Sequence, residues 1–511
     1  MRRFFIILSL AYCVSASAQD AQDTTVIARI RDEALLHSQV TNIAFHLTDA
    51  SGPRLSNSPG LARAQQWAVT TLRSWGLANV ALEPWGTFGK GWELRKDYLA
   101  MVKPYYQPLI AYPDAWTRGS DGPFTTELVL YHPKDSADQA ALRGRLRGKL
   151  VLFPSTASIR LPFEAEAARY RDSDLEKMTL PPPPPAQPVH GPVPSPPRRA
   201  MASAPRRPSM VGTTQFLQQE GVMGTLASSF YDRDGTVYVQ GGGRSGWGDS
   251  LSPMRLQLAF EHFKQLQALL ENGIAVTVEG DIETHDIRTD SMGYNLVGEI
   301  PGEDPALKNQ WVIIGAHLDS WQSATGATDN GAGAAVMLEV IRILTTIQAH
   351  PRRSIRVILW SGEEQGLLGS MAYVKRHFED PVTRQPTSDQ ANVSAYFNLD
   401  NGSGKIRGVY LQGDTAAGPI FQKWLEPFHD LGATTVTYKN TGGTDHLSFV
   451  SVGIPGFQFI QDPIEYETRT HHSNMDTYAH LLPEDLKQAA ATIASFTFLT
   501  AMRNELIPRA R

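Results

Sequence analysis

The sequence has 511 residues, of which 41% are hydrophobic and 19% charged, with a formal net charge of −5. Such a chain is long enough for two or three globular domains with a sizeable core, and it lacks the basic excess that nucleic-acid binding requires. No block of like charge marks a polyanion or a membrane surface as its partner.

Residues 1–18 read as a secretory signal peptide: Met1-Arg2-Arg3 is a positive start, FFIILSLAYCV an apolar core, and Ala16-Ser17-Ala18 a small-residue cleavage site. The expectation is an exported protein, periplasmic or secreted, beginning at Gln19. The single cysteine, Cys13, lies inside that leader, so the mature chain is expected to have no thiols and to depend on its core for stability. Any metal must then be held by His, Asp and Glu, which favours a hydrolytic centre over a structural zinc knot. No second apolar run is long enough to span a membrane.

Residues 24–100 read as a helical start, with a pattern over VIARIRDEALLHSQVTNIAFHL, a turn at SGPRL and an amphipathic helix from about Gly60 to Trp75. Between about Phe124 and Ile274 the character shifts to short strands (TELVLYH, GKLVLFPS), a helix near FLQQEGVMGTL and glycine-rich turns. Within this stretch, residues 181–208 (PPPPPAQPVHGPVPSPPRRAMASAPRRP) are too proline-rich for a helix or sheet interior and read as an extended loop. From about Met292 strands and helices alternate. WVIIGA, IRVILW, VSAYFNL, VYLQG and IPGFQFI are strands, with helices at 331–347, 366–378 and from about Pro483, which makes an α/β unit.

The residues that can carry chemistry stand where these strands stop. His317 and Asp319 follow WVIIGA, Glu363 and Glu364 follow IRVILW, and Asp400 follows VSAYFNL. Asp329 precedes a helix, and His471-His472 lies beyond IPGFQFI. Open α/β sheets bind ligands outside the carboxyl ends of their strands. Taken singly, Asp329 is also a helix N-cap, a lone histidine a hydrogen-bonded surface group, Asp400 a turn former and the two glutamates solvated charge. Taken together, they would have to reach one edge of one sheet by coincidence. If they converge, three carboxylates repel one another unless cations intervene, and with two imidazoles they form a donor set suited to a pair of zinc ions. Glu364 then holds metal while Glu363, its side chain turned another way, serves as general base.

GAHLDS, GATDNGAG, WSGEEQGLLGS, FNLDNGSG and HHSNMDT, in this order and with twelve positions from His317 to Asp329, resemble the motifs of the M28 family of co-catalytic zinc exopeptidases. SGPRLSNSPG near the start resembles the family's N-terminal portion. The resemblance implies a three-layer zinc-exopeptidase fold, a mixed central sheet flanked by helices. It divides the chain into 19–120 (N-terminal part of the peptidase domain), a β-rich insert at 121–278 resembling a protease-associated (PA) domain, and 279–511 (main part). It also implies two Zn2+ ions per chain. Asp329 would bridge them, His317 and Asp400 would complete one position, and Glu364 and His472 the other. Asp319 would orient His317, and the Asp329-Asn330 peptide would be cis. His471 stands where many relatives carry tyrosine, so it is read as the group that polarises the scissile carbonyl, with plain packing as the other reading. GGTDHLSF resembles a substrate-side loop, which makes Asp445 or His446 a pocket residue. The implied substrates are peptides attacked at a terminus, by an aminopeptidase first and a dipeptidase or carboxypeptidase second. A glutaminyl-cyclase-like acyltransferase with one metal and a non-catalytic receptor-like module are the rivals.

Overall fold

The computed structural model describes residues 24–159, 161–179, 210–229 and 233–509. The stretch at 1–18 read as a leader and the proline-rich stretch at 181–208 lie outside the described residues. The eight strands of the main sheet are β1 (Ala78–Thr87), β2 (Met292–Ile300), β3 (Trp311–His317), β4 (Ser354–Trp360), β5 (Val393–Asn398), β6 (Ile406–Tyr410), β7 (Thr435–Thr437) and β8 (Gly456–Gln461). They lie in the order β1-β2-β4-β3-β5-β8-β6-β7. The central four, β4, β3, β5 and β8, are mutually parallel, whereas on one side β2 runs antiparallel to them and β1 antiparallel to β2, and on the other β6 pairs antiparallel with β8.

Parallel strands covered on both faces are apolar on both, which is why WVIIGA and IRVILW read as unbroken hydrophobic runs. The alternation of side chains sorts them into layers. Val312, Ile314 and Ala316 enter one core with α2 (Ala332–Thr346) and α4 (Pro483–Met502), while Ile313, Ile358 and Trp360 enter the opposite core with Tyr373 and Val374 of α3 (Leu368–His377). The result is the expected mixed α/β fold of three layers. All four parallel strands end at the same edge, so any polar residue just past the last apolar position of β3, β4 or β5 is delivered there. Gly333, in the first turn of α2, sits so close to β5 that a Cβ would collide with the Leu399 carbonyl and Asn330. This lets the turn carrying Asp329 approach the strand ends.

A second eight-stranded sheet is built from 107–108, Gly91–Lys103, Val276–Ile287, Phe124–Leu130, Leu150–Leu152, Gly224–Ala227, Met254–Leu258 and Ala111–Pro113, in that spatial order. It has its own core of Leu99, Leu128, Leu150, Leu226, Leu256 and Val278. Its strands extend on either side of the 121–278 span, because Gly91–Lys103 pairs along most of its length with Val276–Ile287. The helical start expected for 24–100 is present up to Ser74, and the remainder of that span, which the sequence reading left unassigned, is extended. Helices occupy 24–36, Val40–Leu47 and α1 (Pro59–Ser74), but β1 and Gly91–Lys103 are strands. Their pattern is masked because β1 is a half-buried edge strand and the middle of Gly91–Lys103 is exposed, with Arg95, Lys96 and Asp97 in place of apolar residues.

Candidate metal centre

Asp329 lies in the turn that leads into α2, its peptide bond to Asn330 is cis, and its carboxylate is the hinge of the site. On one side, His317 Nε2 is 3.2 Å from Asp329 Oδ1 and 3.2 Å from Asp400 Oδ1. On the other, His472 Nε2 is 3.0 Å from Asp329 Oδ2 and 3.0 Å from Glu364 Oε2. The two oxygens of one carboxylate thus face two separate groups of donors. His471 Nε2 stands farther out, 3.7 Å from Asp329 Oδ2, with its ring 3.8 Å from that of His472. Of the residues expected from the sequence, His317, Asp329, Glu363, Glu364, Asp400, His471 and His472 all meet here.

The tautomer of His317 follows from its partner. Nδ1 is 2.9 Å from the backbone oxygen of Asp319, and a carbonyl only accepts, so Nδ1 carries a proton and Nε2 is the nitrogen turned toward Asp329 and Asp400. The imidazole is therefore oriented by the main chain of Asp319. The carboxylate of Asp319 is 3.8 Å from Nδ1 and instead accepts from the backbone N–H groups of Glu363 and Glu364 and from Ser56 Oγ. By holding that dipeptide it sets where both glutamate side chains point.

Charge in the cluster is severely unbalanced. Burial, and then the neighbouring Asp329 carboxylate, pushes Glu364 up to about 7. Burial also drives Glu363 well above the usual carboxylate range, with Asp400, Asp445 and Glu364 adding to the effect and His317 opposing it. His317 and His472 are buried, which works against their charged forms, yet the surrounding carboxylates (Asp400 and Glu363 for His317, Glu364 and Asp329 for His472) raise both well above the ordinary imidazole value. Without other cations, protons are what relieve the repulsion. Glu364 Oε1 is also buried without a hydrogen-bond partner, a costly state for a carboxylate oxygen unless something electropositive faces it. The sets His317/Asp329/Asp400 and Asp329/His471/His472 each bring their donor atoms within 4.8 Å of one another, and nitrogen and oxygen donors of this kind suit zinc. The residues present fit metal on both flanks of Asp329.

Asp445 is fully buried, not open to the cleft, and burial pushes it up to about 7. Its position bears on Glu363 through charge. His446 is also buried, with Nε2 near Gln412 and the Thr441 carbonyl.

Two further residues matter that spacing alone did not assign. Asp476, the acid of HHSNMDT, accepts from the Thr328 N–H at 2.5 Å, from Thr328 Oγ1 and from the Asp329 N–H at 3.1 Å, so it fixes the backbone of the hinge carboxylate. Arg54 of SGPRL lies fully buried behind the site, where its guanidinium donates to the carbonyls of Leu318, Thr325 and Gly326. The signal for Arg54 was an arginine in a motif whose neighbours are otherwise small; a buried guanidinium needs such a set of acceptors.

Comparison with known proteins agrees with this geometry. Residues 295–497 match peptidase family M28. Mouse carboxypeptidase Q is 25% identical over 477 residues, covering 91% of this chain and 86% of its own. Aminopeptidase YwaD of Bacillus subtilis (strain 168) is 30% identical over 204 residues, 39% of this chain and 42% of its own. Among solved structures, a peptidase M28 precursor from Shewanella amazonensis SB2B superposes with a TM-score of 0.67 at 24% identity, covering 96% of this chain and 100% of its own. The zinc aminopeptidase BSAP of Bacillus subtilis superposes at 0.54 with 17% identity, covering 93% and 98%. Site geometry, family match and fold together identify residues 295–497 as a peptidase family M28 domain.

Proposed function

We propose that the protein is an exported exopeptidase working with two zinc ions, and that it acts first as an aminopeptidase. The observation that carries the metal count is the division of Asp329 between His317 on Oδ1 and His472 on Oδ2. His317, Asp400 and one oxygen of Asp329 would hold one ion, and Glu364, His472 and the other oxygen the second. Bound zinc would supply acidified water and a polarised scissile carbonyl. Glu363 accepts the proton of the attacking water on its carboxylate and returns it to the leaving nitrogen, a transfer worth ~10²–10⁴ in rate. His471, partly exposed at the mouth of the site, donates to the carbonyl oxygen as charge develops there. Asp319 and Asp476 hold the backbones of Glu363-Glu364 and Asp329. The leader at 1–18 supports export, and among the described residues no helix is long and apolar enough to cross a membrane. The second sheet is read as the inserted PA-like unit.

The preference for a substrate amino group rests on local charge. Arg54 is fully engaged with backbone carbonyls and unavailable to a substrate carboxylate, whereas the exposed Glu467 beside His471 places negative charge at the mouth of the site. A carboxypeptidase is the second reading, favoured because the carboxypeptidase Q of mouse aligns over 91% of the chain and the aminopeptidase YwaD over 39%. Free, C-amidated and N-acetylated dipeptides separate the two. Chelator-sensitive cleavage of the free and C-amidated forms, with the N-acetylated form spared, is expected; cleavage of the N-acetylated form alongside resistance of the C-amidated one would establish the carboxypeptidase.

A further inference from the structure

His317, Glu363, Glu364 and Asp400 stand at or just past the ends of β3, β4 and β5, so the main sheet itself fixes their backbones. His472 does not share this support. It lies well beyond Gln461, the last residue of β8, on a loop, and its backbone adopts a left-handed conformation at φ 55° that a non-glycine residue adopts at a cost. Something outside the sheet must hold it there.

The contacts come from the second unit. The backbone N–H of Val239 donates to the carbonyl of His472 at 2.8 Å. Val237 and Asn474 form a reciprocal pair: the Val237 N–H donates to Asn474 Oδ1 at 2.7 Å, and the Asn474 N–H donates to the Val237 carbonyl at 3.1 Å. Asn474 Nδ2 donates to the Gly235 carbonyl, and Tyr238 bridges Ser473 as a short antiparallel pair. The segment alternates as a strand does. Val237 and Val239 face Ala259 and Tyr112 of the second unit in a small apolar cluster, while the ring of Tyr238 packs against His472 from one side and Trp321 from another.

We propose that residues 237–239, with Asn474 as their receptor, are a positioning element of the metal centre. The second unit supplies the backbone support that aims His472 Nε2 at Asp329 and Glu364, and the Glu364/His472 position is therefore incomplete without it. This rests on the zinc reading above. It assigns the insert a part in metal binding, beyond covering the cleft or selecting substrate. Partners that orient a ligand from behind are typically worth 10–100-fold in metal affinity.

The test is zinc affinity and content of the full-length protein, measured in zinc buffers by elemental analysis alongside thermal melting. Asn474→Ala removes the acceptor for Val237 and the donor to Gly235 while keeping every candidate ligand. It is expected to weaken one of two zinc ions ~10–100-fold and leave the other unchanged. Asn474→Asp keeps an acceptor for the Val237 N–H and is expected to recover most of that loss. Val239→Pro, which deletes the N–H donated to His472, reproduces the loss by a separate route and carries the test alone if Asn474→Ala does not fold. Leu226→Ala, in the core of the second sheet, controls for general destabilisation: it lowers the melting temperature and keeps both ions. Two ions held at wild-type affinity in Asn474→Ala or Val239→Pro would overturn the inference and leave the peptidase reading intact. A wild-type protein that binds no zinc would remove the peptidase reading and this inference with it.

Discussion

The two flanks of Asp329 carry similar donors but are built differently. On the His317/Asp400 side, both residues follow adjacent parallel strands whose register is fixed by the ladder and by apolar layers above and below. On the Glu364/His472 side, only the glutamate follows a strand. The histidine hangs on a loop tied to a different unit of the molecule. One flank is thus set by the fold alone, and the other depends on how two parts of the chain meet. Equal chemistry does not imply equal robustness.

The largest effect expected from breaking this comparison comes at the shared group. Asp329→Ala removes the oxygen facing each flank, so zinc content should fall at both positions and peptide cleavage should drop to background; retention of two ions would show that the flanks do not share Asp329. Glu363→Gln should keep zinc on both flanks while turnover falls by ~10²–10⁴, read as kcat with zinc measured in parallel. Near wild-type turnover would remove Glu363 from its role. His471→Phe preserves the ring packing with Tyr466 and deletes the donor, and kcat should fall ~10²–10³ with little change in zinc. An unchanged kcat would reduce His471 to packing.

A smaller effect concerns pH. In protein stripped of zinc, Glu364 is raised from 4.5 to about 7 by burial and by Asp329. A carboxyl raised in the folded state contributes stability while protonated, fully present below its unfolded value and lost as pH climbs through the folded one. His317 and His472, raised by the carboxylates around them, lose their contributions in the same direction at higher pH, while Asp329 is held low and titrates below this window. The melting temperature of the stripped protein should fall relative to the zinc-loaded form as pH rises from about 4.5 to 7 and beyond. A gap that narrows over that range would contradict the charge account.

The same contrast explains what the sequence made legible. The strand-end residues were readable because a buried parallel strand is an unbroken apolar run, and the first polar residue after it has one place to go. The role of Asp319 was only half readable: its position beside the site follows from spacing, but that its carbonyl orients His317 while its carboxylate holds Glu363 and Glu364 depends on side-chain direction. Asp445 lay on a motif, yet its complete burial is a property of packing. The strands Ala78–Thr87 and Gly91–Lys103 were hidden by exposure and by the charges at Arg95, Lys96 and Asp97. The support of His472 by Val237 and Val239 was beyond reach, because backbone hydrogen bonds between segments so far apart in sequence leave no pattern in residue type.

Crystals of the zinc-loaded protein, with anomalous scattering recorded at the zinc edge, address the central claim most directly. Two peaks flanking the Asp329 carboxylate, one within coordinating distance of His317 and Asp400 and the other of Glu364 and His472, are the expected result. A single peak, or none among these side chains, would contradict it.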